Sequence, residues 1–133
     1  PTFSSPLDGF SRSPVITADG NSVFFHGAFS ILQYDRNAKQ RVRVDTAGTV
    51  NGFAASPDRR LVAYAQTLTG AGGSTTVITV LDQLRADRRG VRLPGGSLVG
   101  LASVANNGSL AFVCRESLVG DGDTNGVKDV YFY

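Results

Sequence analysis

Three stretches of the chain repeat one pattern, and that repetition limits the fold more than any other feature of the sequence. The first stretch runs Ser13-Pro14-Val15-Ile16-Thr17-Ala18-Asp19-Gly20 and continues Val23-Phe24-Phe25. The second runs Gly52-Phe53-Ala54-Ala55-Ser56-Pro57-Asp58 and continues Leu61-Val62-Ala63-Tyr64. The third runs Gly100-Leu101-Ala102-Ser103-Val104-Ala105-Asn106-Asn107-Gly108 and continues Leu110-Ala111-Phe112. Read in line, Asp19, Asp58 and Asn106 correspond, as do Phe25, Tyr64 and Phe112, with spacings of 39 and 48 residues. Each unit is a short apolar strand, a turn whose Asp, Asn or Gly bonds its own chain or accepts left-handed backbone, and a second apolar strand ending in an aromatic.

A third strand follows in each unit, over 29–34, 76–81 and 127–133, rich in β-branched and aromatic residues that suit a pleated, half-buried surface. Polar fourth strands, 41–45 and 90–93, follow in the first two units, with charge that discourages stray edge pairing. Four strands recurring at this spacing describe one blade of a propeller. The expected fold is all-β: a single partial β-propeller segment over 1–133, with about three four-stranded antiparallel blades at 13–45, 50–94 and 97–133. The third blade lacks its outer strand. Thr2-Phe3-Ser4-Ser5 is read as an outer strand of the ring.

Composition agrees. A hydrophobic content of 41% with 18% charge is ordinary for a folded domain, and sixteen glycines and five prolines spread along the chain suit frequent tight turns. The net charge of +2 is carried by eleven Arg and two Lys against ten Asp and one Glu. Arg41 and Arg43 alternate with Val42 and Val44, as on an outward strand face, so nucleic-acid binding is not expected. The basic run from Leu84 to Arg92 is read as a solvated turn. No stretch approaches the roughly 20 apolar residues that span a bilayer. The chain opens at Pro1 and contains no Met, so a processed or excised piece is expected, with any export signal removed.

Ser56-Pro57-Asp58-Arg59-Arg60-Leu61-Val62-Ala63-Tyr64 resembles the S-P-D-G-x-x-[IV]-A-[FY] signature of TolB-like, or WD-like, propeller blades. The run Asp123-Thr124-Asn125-Gly126-Val127-Lys128-Asp129-Val130-Tyr131 looks like the D-T-N-G-x-x-D-V-[FY] hallmark of the bacterial surface-protein version. Arg59 stands where the signature has Gly, and Asn106-Asn107 where it has Asp-Gly. The resemblance covers residues 13 to 133 and implies a closed ring of roughly four to eight blades, which three blades do not complete. It also implies an extracellular, cell-surface or periplasmic protein.

Asp121-Gly122-Asp123-Thr124-Asn125-Gly126-Val127-Lys128-Asp129 fits D-x-D-x-[DN]-G-x-x-D. Calcium takes several hard oxygens: alternation directs Asp121, Asp123 and Asn125 inward, Gly126 permits the sharp turn, the Val127 carbonyl contributes, and Asp129 closes the shell. A strand rather than a helix follows, which makes the loop similar to the cation loops of integrin α-chain propeller blades. The alternative is a metal-free polar hairpin turn. Three carboxylates within nine residues repel one another without a cation, which favours Ca2+.

No catalytic set is evident. His26, the single histidine, has no nucleophile motif beside it. One His with one Cys, Cys114, falls short of a zinc site. Cys114 sits in an apolar run as a small buried hydrophobe. Glu116 is the single glutamate, and Gly70-Ala71-Gly72-Gly73-Ser74 lacks the Lys of a phosphate loop and is read as a flexible hairpin loop. The expected function is a non-catalytic binding or scaffold module, stabilised by calcium, whose propeller loops and open blade edges engage a protein partner or another copy. The alternatives are a structural subunit completed by strands of neighbouring copies, and a gating propeller fragment of a serine peptidase.

Overall fold

A computed structural model describes residues 12–27, 29–46, 49–93, 98–115, 117–118 and 127–133. Eleven strands and no helix occur among them. The first sheet pairs β1 (Arg12–Ile16), β2 (Ser22–His26), β3 (Ser30–Asp35) and β4 (Gln40–Thr46) in that order. The second pairs β5 (Val50–Ala55), β6 (Leu61–Gly70), β7 (Gly73–Asp82) and β8 (Asp87–Leu93). In the third, β10 (Leu110–Cys114) lies between β9 (Leu98–Val104) and β11 (Asp129–Phe132). Every pairing is antiparallel. These are two four-stranded blades and a third with three strands among the described residues.

The middle sheet shows why the blades need one another. Successive side chains on a strand point to opposite faces. On β6, Leu61, Ala63 and Ala65 join Ile78, Leu110, Phe112 and Cys114 in the seam with the third sheet. Val62 and Tyr64 join Phe24, Ile31 and Phe53 in the seam with the first. Both faces of β6 are buried over residues 61–65, so that half of the strand reads as an unbroken apolar run. Burying one such large side chain is worth roughly 1.5–3 kcal/mol, and a blade alone would leave both faces wet.

The first strands of the blades lie innermost, β5 against both β1 and β9. A Cβ added at Gly52 would stand 2.8 Å from both the Cβ and the backbone nitrogen of Leu101, so glycine is what lets β5 approach β9 this closely. All three inner strands carry register shifts, which bend a strand and increase its twist.

One such shift corrects the in-line reading of the third repeat. Pairing places Gly100 and Leu101 where Gly52 and Phe53 stand, but Ala102 is an extra residue on β9, since Ser103 pairs with Ala111 and Leu101 with Phe112. The following turn is one residue shorter: Ala105 donates its N–H to the Ser109 carbonyl, whereas Thr17 reaches Ser22 and Ser56 reaches Leu61. The two changes cancel, so Phe112 keeps its place while Asn107, not Asn106, takes the place of Asp19 and Asp58.

Two further readings change. Residues 70–74 are not a loose loop: Gly70 pairs with Gly73, and the ladder between β6 and β7 continues to that pair, leaving Ala71 and Gly72 as the turn. Thr67 with Thr76 and Thr69 with Ser74 bond across the ribbon at 3.2 Å. The basic run 84–92 is turn only to Ala86, because β8 begins at Asp87.

Candidate functional site

One end of the sheets collects the turns between β1 and β2, β5 and β6, and β9 and β10. In each, a side-chain oxygen accepts the N–H two residues on: Asp19 from Asn21 at 3.0 Å, Asp58 from Arg60 at 3.1 Å, and Asn107 from Ser109 at 3.0 Å. The next residue is left-handed each time, with φ of 68° at Gly20, 70° at Arg59 and 92° at Gly108. The Thr17 and Ser56 hydroxyls donate to Asp19 and Asp58 at 2.6 Å and accept the N–H groups of Ser22 and Leu61. The Thr17 hydroxyl, helped by the Asn21 amide, holds the Asp19 carboxyl down at about 2, and the Ser56 hydroxyl depresses Asp58 in the same way.

These turns are also tied to one another. Ala18 donates its N–H to the Pro57 carbonyl at 3.2 Å, and the Asp58 N–H donates to Asn106 Oδ1 at 3.3 Å. Arg59 donates to Ser22 Oγ at 3.3 Å and pairs with Asp19 at 3.2 Å. Asn106 thus links blades while its neighbour Asn107 shapes the turn.

A second set of turns repeats beside them, which the sequence reading did not single out. Asp35 and Asp82 accept the N–H groups two and three residues on, at 2.8 to 3.3 Å, and Lys39 and Ala86, four residues on, are left-handed. Arg36 and Gln83 each donate side-chain and backbone N–H to carbonyls of the neighbouring turn, Gly20 and Asn21 in one blade, Arg59 and Arg60 in the other. The signal was the matching Asp with a basic residue six places later, Arg41 and Arg88. Arg60 donates to Asp82 at 3.0 and 2.6 Å, and this, with the backbone donors, lowers the Asp82 pKa.

Between the first two blades, Asp45 of β4 is buried, 6% exposed, although its strand reads as a polar edge. Tyr64 of β6 donates to one of its oxygens and Arg88 of β8 to the other, both at 2.7 Å. Period-two alternation on β8 sends Arg88 toward this seam, while Val91 and Leu93 pack on the other side with the third blade. Burial, reinforced by the Asp45 bond, pushes the Tyr64 phenol up to about 12.

Of the expected calcium ligands, Asp121, Asp123 and Asn125 lie outside the described residues. Val127 is exposed, and Asp129 opens β11 opposite Cys114, at the end of the ladder where the connection leaves and rejoins the sheet. Among the described residues no three His, Cys, Asp or Glu side chains cluster as a metal group would. The sheet behind is firm: Tyr131 stacks on Phe112 with centroids 5.9 Å apart and accepts the Leu118 N–H at 3.3 Å. His26 ends β2, paired with Arg12 and Ile31, and Cys114 is buried as its apolar run suggests.

Antiparallel sheets packed face to face, first strands innermost and turns linked from sheet to sheet, define a segment of a β-propeller. Solved structures bear this out. The chain is similar to TolB from Acinetobacter baumannii, with 18% identity and a TM-score of 0.65 over 92% of this chain and 29% of that one. It is similar to Pyrococcus horikoshii acylaminoacyl peptidase, with 13% identity and a TM-score of 0.67 over 92% and 23%. It is also similar to the β-propeller domain of the Trilobed protease from Pyrococcus furiosus, described as having an open velcro topology, with 14% identity and a TM-score of 0.63 over 92% and 40%. At these identities the likeness is one of fold, and the chain spans less than half the length of each structure. No family model matches the chain, and no curated protein sequence matches it.

Proposed function

We propose that the chain is a non-catalytic binding or scaffold module of a protein that works outside the cytoplasm, at the cell surface, in the periplasm or beyond, stiffened by calcium held in the 121–129 loop. The observation that carries the reading is the frame itself. The middle blade buries both faces, and turns of successive blades are bonded together at one end, so the loops sit on a rigid support, where recognition normally resides. Propeller-domain neighbours such as TolB support the binding role. The Asp121, Asp123, Asn125, Val127 and Asp129 pattern supports calcium, and a calcium-dependent fold suits a compartment rich in that ion.

Melting curves with and without millimolar calcium test it. Calcium should raise Tm in the native chain, and Asp123→Ala should remove the shift; no binding by calorimetry at millimolar calcium would end the calcium reading.

A second reading is favoured by one feature of the third sheet. β3 and β7 each carry a fourth strand on their outer side, and in β11, which holds the matching place in the third sheet, Val130 and Phe132 are 74% and 80% exposed. Strands from neighbouring copies laid there would make the chain a structural subunit. Light scattering separates the two, since a 14.0 kDa monomer excludes strand exchange. The peptidase neighbours support a third reading, a gating propeller cut from a serine peptidase, which the parent gene would test.

A further inference from the structure

At the turn end of the seam between the first and second blades, one side chain crosses from blade to blade. Arg59 projects from its left-handed position across the seam to Ser22 Oγ and Asp19. In the next seam the equivalent residue is Gly108, which has the same backbone sign and the same N–H bond to the residue three before it, but no side chain. A cleft of about 310 Å3 lies there.

The walls of that cleft also differ from those beside Arg59 in the first seam. Gln33 and Ser22 form a polar hydrogen-bonded pair in the first blade; their counterparts in the second blade are Val80 and Leu61, which with Val91 make an apolar floor. The rim holds Arg60, Arg85 and Arg89 against Asp82 and Asp87. Arg60 is committed to Asp82, whose oxygens also accept the Leu84 and Arg85 N–H groups. Arg85 and Arg89 approach their carboxylates only at 3.9 and 4.0 Å, with side chains 69% and 76% exposed. Contacts so long and so wet bind a guanidinium weakly. Two guanidinium groups beside an apolar floor match a ligand that joins a carboxylate to an aliphatic group, and guanidinium meets carboxylate with two parallel hydrogen bonds.

We propose that the cleft between the second and third blades is a binding site for a short acidic peptide segment of a partner protein, with an aliphatic side chain on Leu61, Val80 and Val91 and a carboxylate on Arg85 and Arg89. Neither Val127 nor Asp129, the described members of the calcium set, lines the cleft.

The test is calorimetric titration of the 133-residue chain with a blocked hexapeptide of alternating glutamate and leucine. Its counterpart with glutamine for glutamate serves as control, and inorganic phosphate as competitor. The acidic peptide should bind and weaken as salt rises. The R85Q/R89Q double variant should bind at least about tenfold more weakly with unchanged Tm, since both side chains are exposed. Gly108→Asn should also weaken binding: asparagine accepts left-handed backbone, and a Cβ there would meet Leu61 at an ordinary 3.8 Å. No binding of the acidic peptide overturns the proposal. So does equal binding of the glutamine peptide, or equal binding by the double variant. Displacement by phosphate at concentrations equal to the peptide's would reduce the site to simple anion capture and overturn it as well.

Discussion

Tyr64 and Asp45, from different blades, share a hydrogen bond of 2.7 Å in a seam where Asp45 is 6% exposed. The carboxylate is also held at 2.7 Å by Arg88, whose side chain reaches back from the outer strand of the second blade. A charge buried this way is tolerated only because both its oxygens are met by donors. The two blades are therefore keyed to one another by polar contacts as well as by apolar burial.

The first prediction concerns alkaline pH. Tyr64 has a folded-state pKa of about 12 against an ordinary value of 10.0. A raised pKa contributes stability that is complete below pH 10 and is lost as pH rises toward 12. Two units correspond to roughly 3 kcal/mol. Urea unfolding at successive pH values should show this fall, and Tyr64→Phe, which costs about 1–3 kcal/mol at neutral pH through the lost bond, should flatten it. An unchanged alkaline slope in the variant would assign the fall to other groups.

At acid pH the sign reverses. Asp19 is held at about 2 against an ordinary 3.8, so its contribution is present above pH 4 and fades as pH drops toward 2. Asp19→Asn retains an acceptor for the turn but loses the ion pair with Arg59. Thermal melts between pH 2 and 5 should show a shallower acid limb for this variant than for the native chain.

Gly52→Ala places a Cβ 2.8 Å from the backbone nitrogen of Leu101, an atom that moves only if β9 moves. Overpacking of this kind costs about 1–3 kcal/mol, and Tm should drop accordingly. At Gly72, in the turn of the β6–β7 ribbon, an added Cβ meets nothing within 4 Å and φ is not positive, so Gly72→Ala should be neutral or slightly stabilising. Equal losses at both positions would refute the close approach of the two inner strands.

Arg59 offers a comparison within one residue. Its φ of 70° costs an ordinary side chain about 1–2 kcal/mol, while its guanidinium reaches Ser22 and Asp19. Arg59→Ala keeps the strain and loses the contacts; Arg59→Gly loses both. The glycine variant should be the more stable of the two by about 1 kcal/mol, read from paired denaturation curves.

The repeat was legible because what makes it is local: alternating apolar residues, an Asp or Asn turn, a closing aromatic. Those signals placed Gly52 with Gly100 and Phe25, Tyr64 and Phe112 together, as strand pairing does. They misassigned Asn106 because the extra residue at Ala102 and the shortened turn before Ser109 cancel in length, and only the register of β9 against β10 separates them. The β6–β7 ribbon was read short because its glycines suggest a loop, although cross-strand pairing carries the ladder to Gly70 and Gly73. Of the calcium set, only Val127 and Asp129 fall among the described residues.

By itself the amino-acid order determined the kind of element, the blade spacing and the turn residues, since each depends on neighbours a few positions away. Tertiary structure alone decided which residues meet across the seams. Arg59 finds Asp19, Arg88 finds Asp45 and Gly108 leaves a cleft where Arg59 would stand, because packing one sheet on the next brings together positions some forty residues apart, and no local pattern encodes that distance.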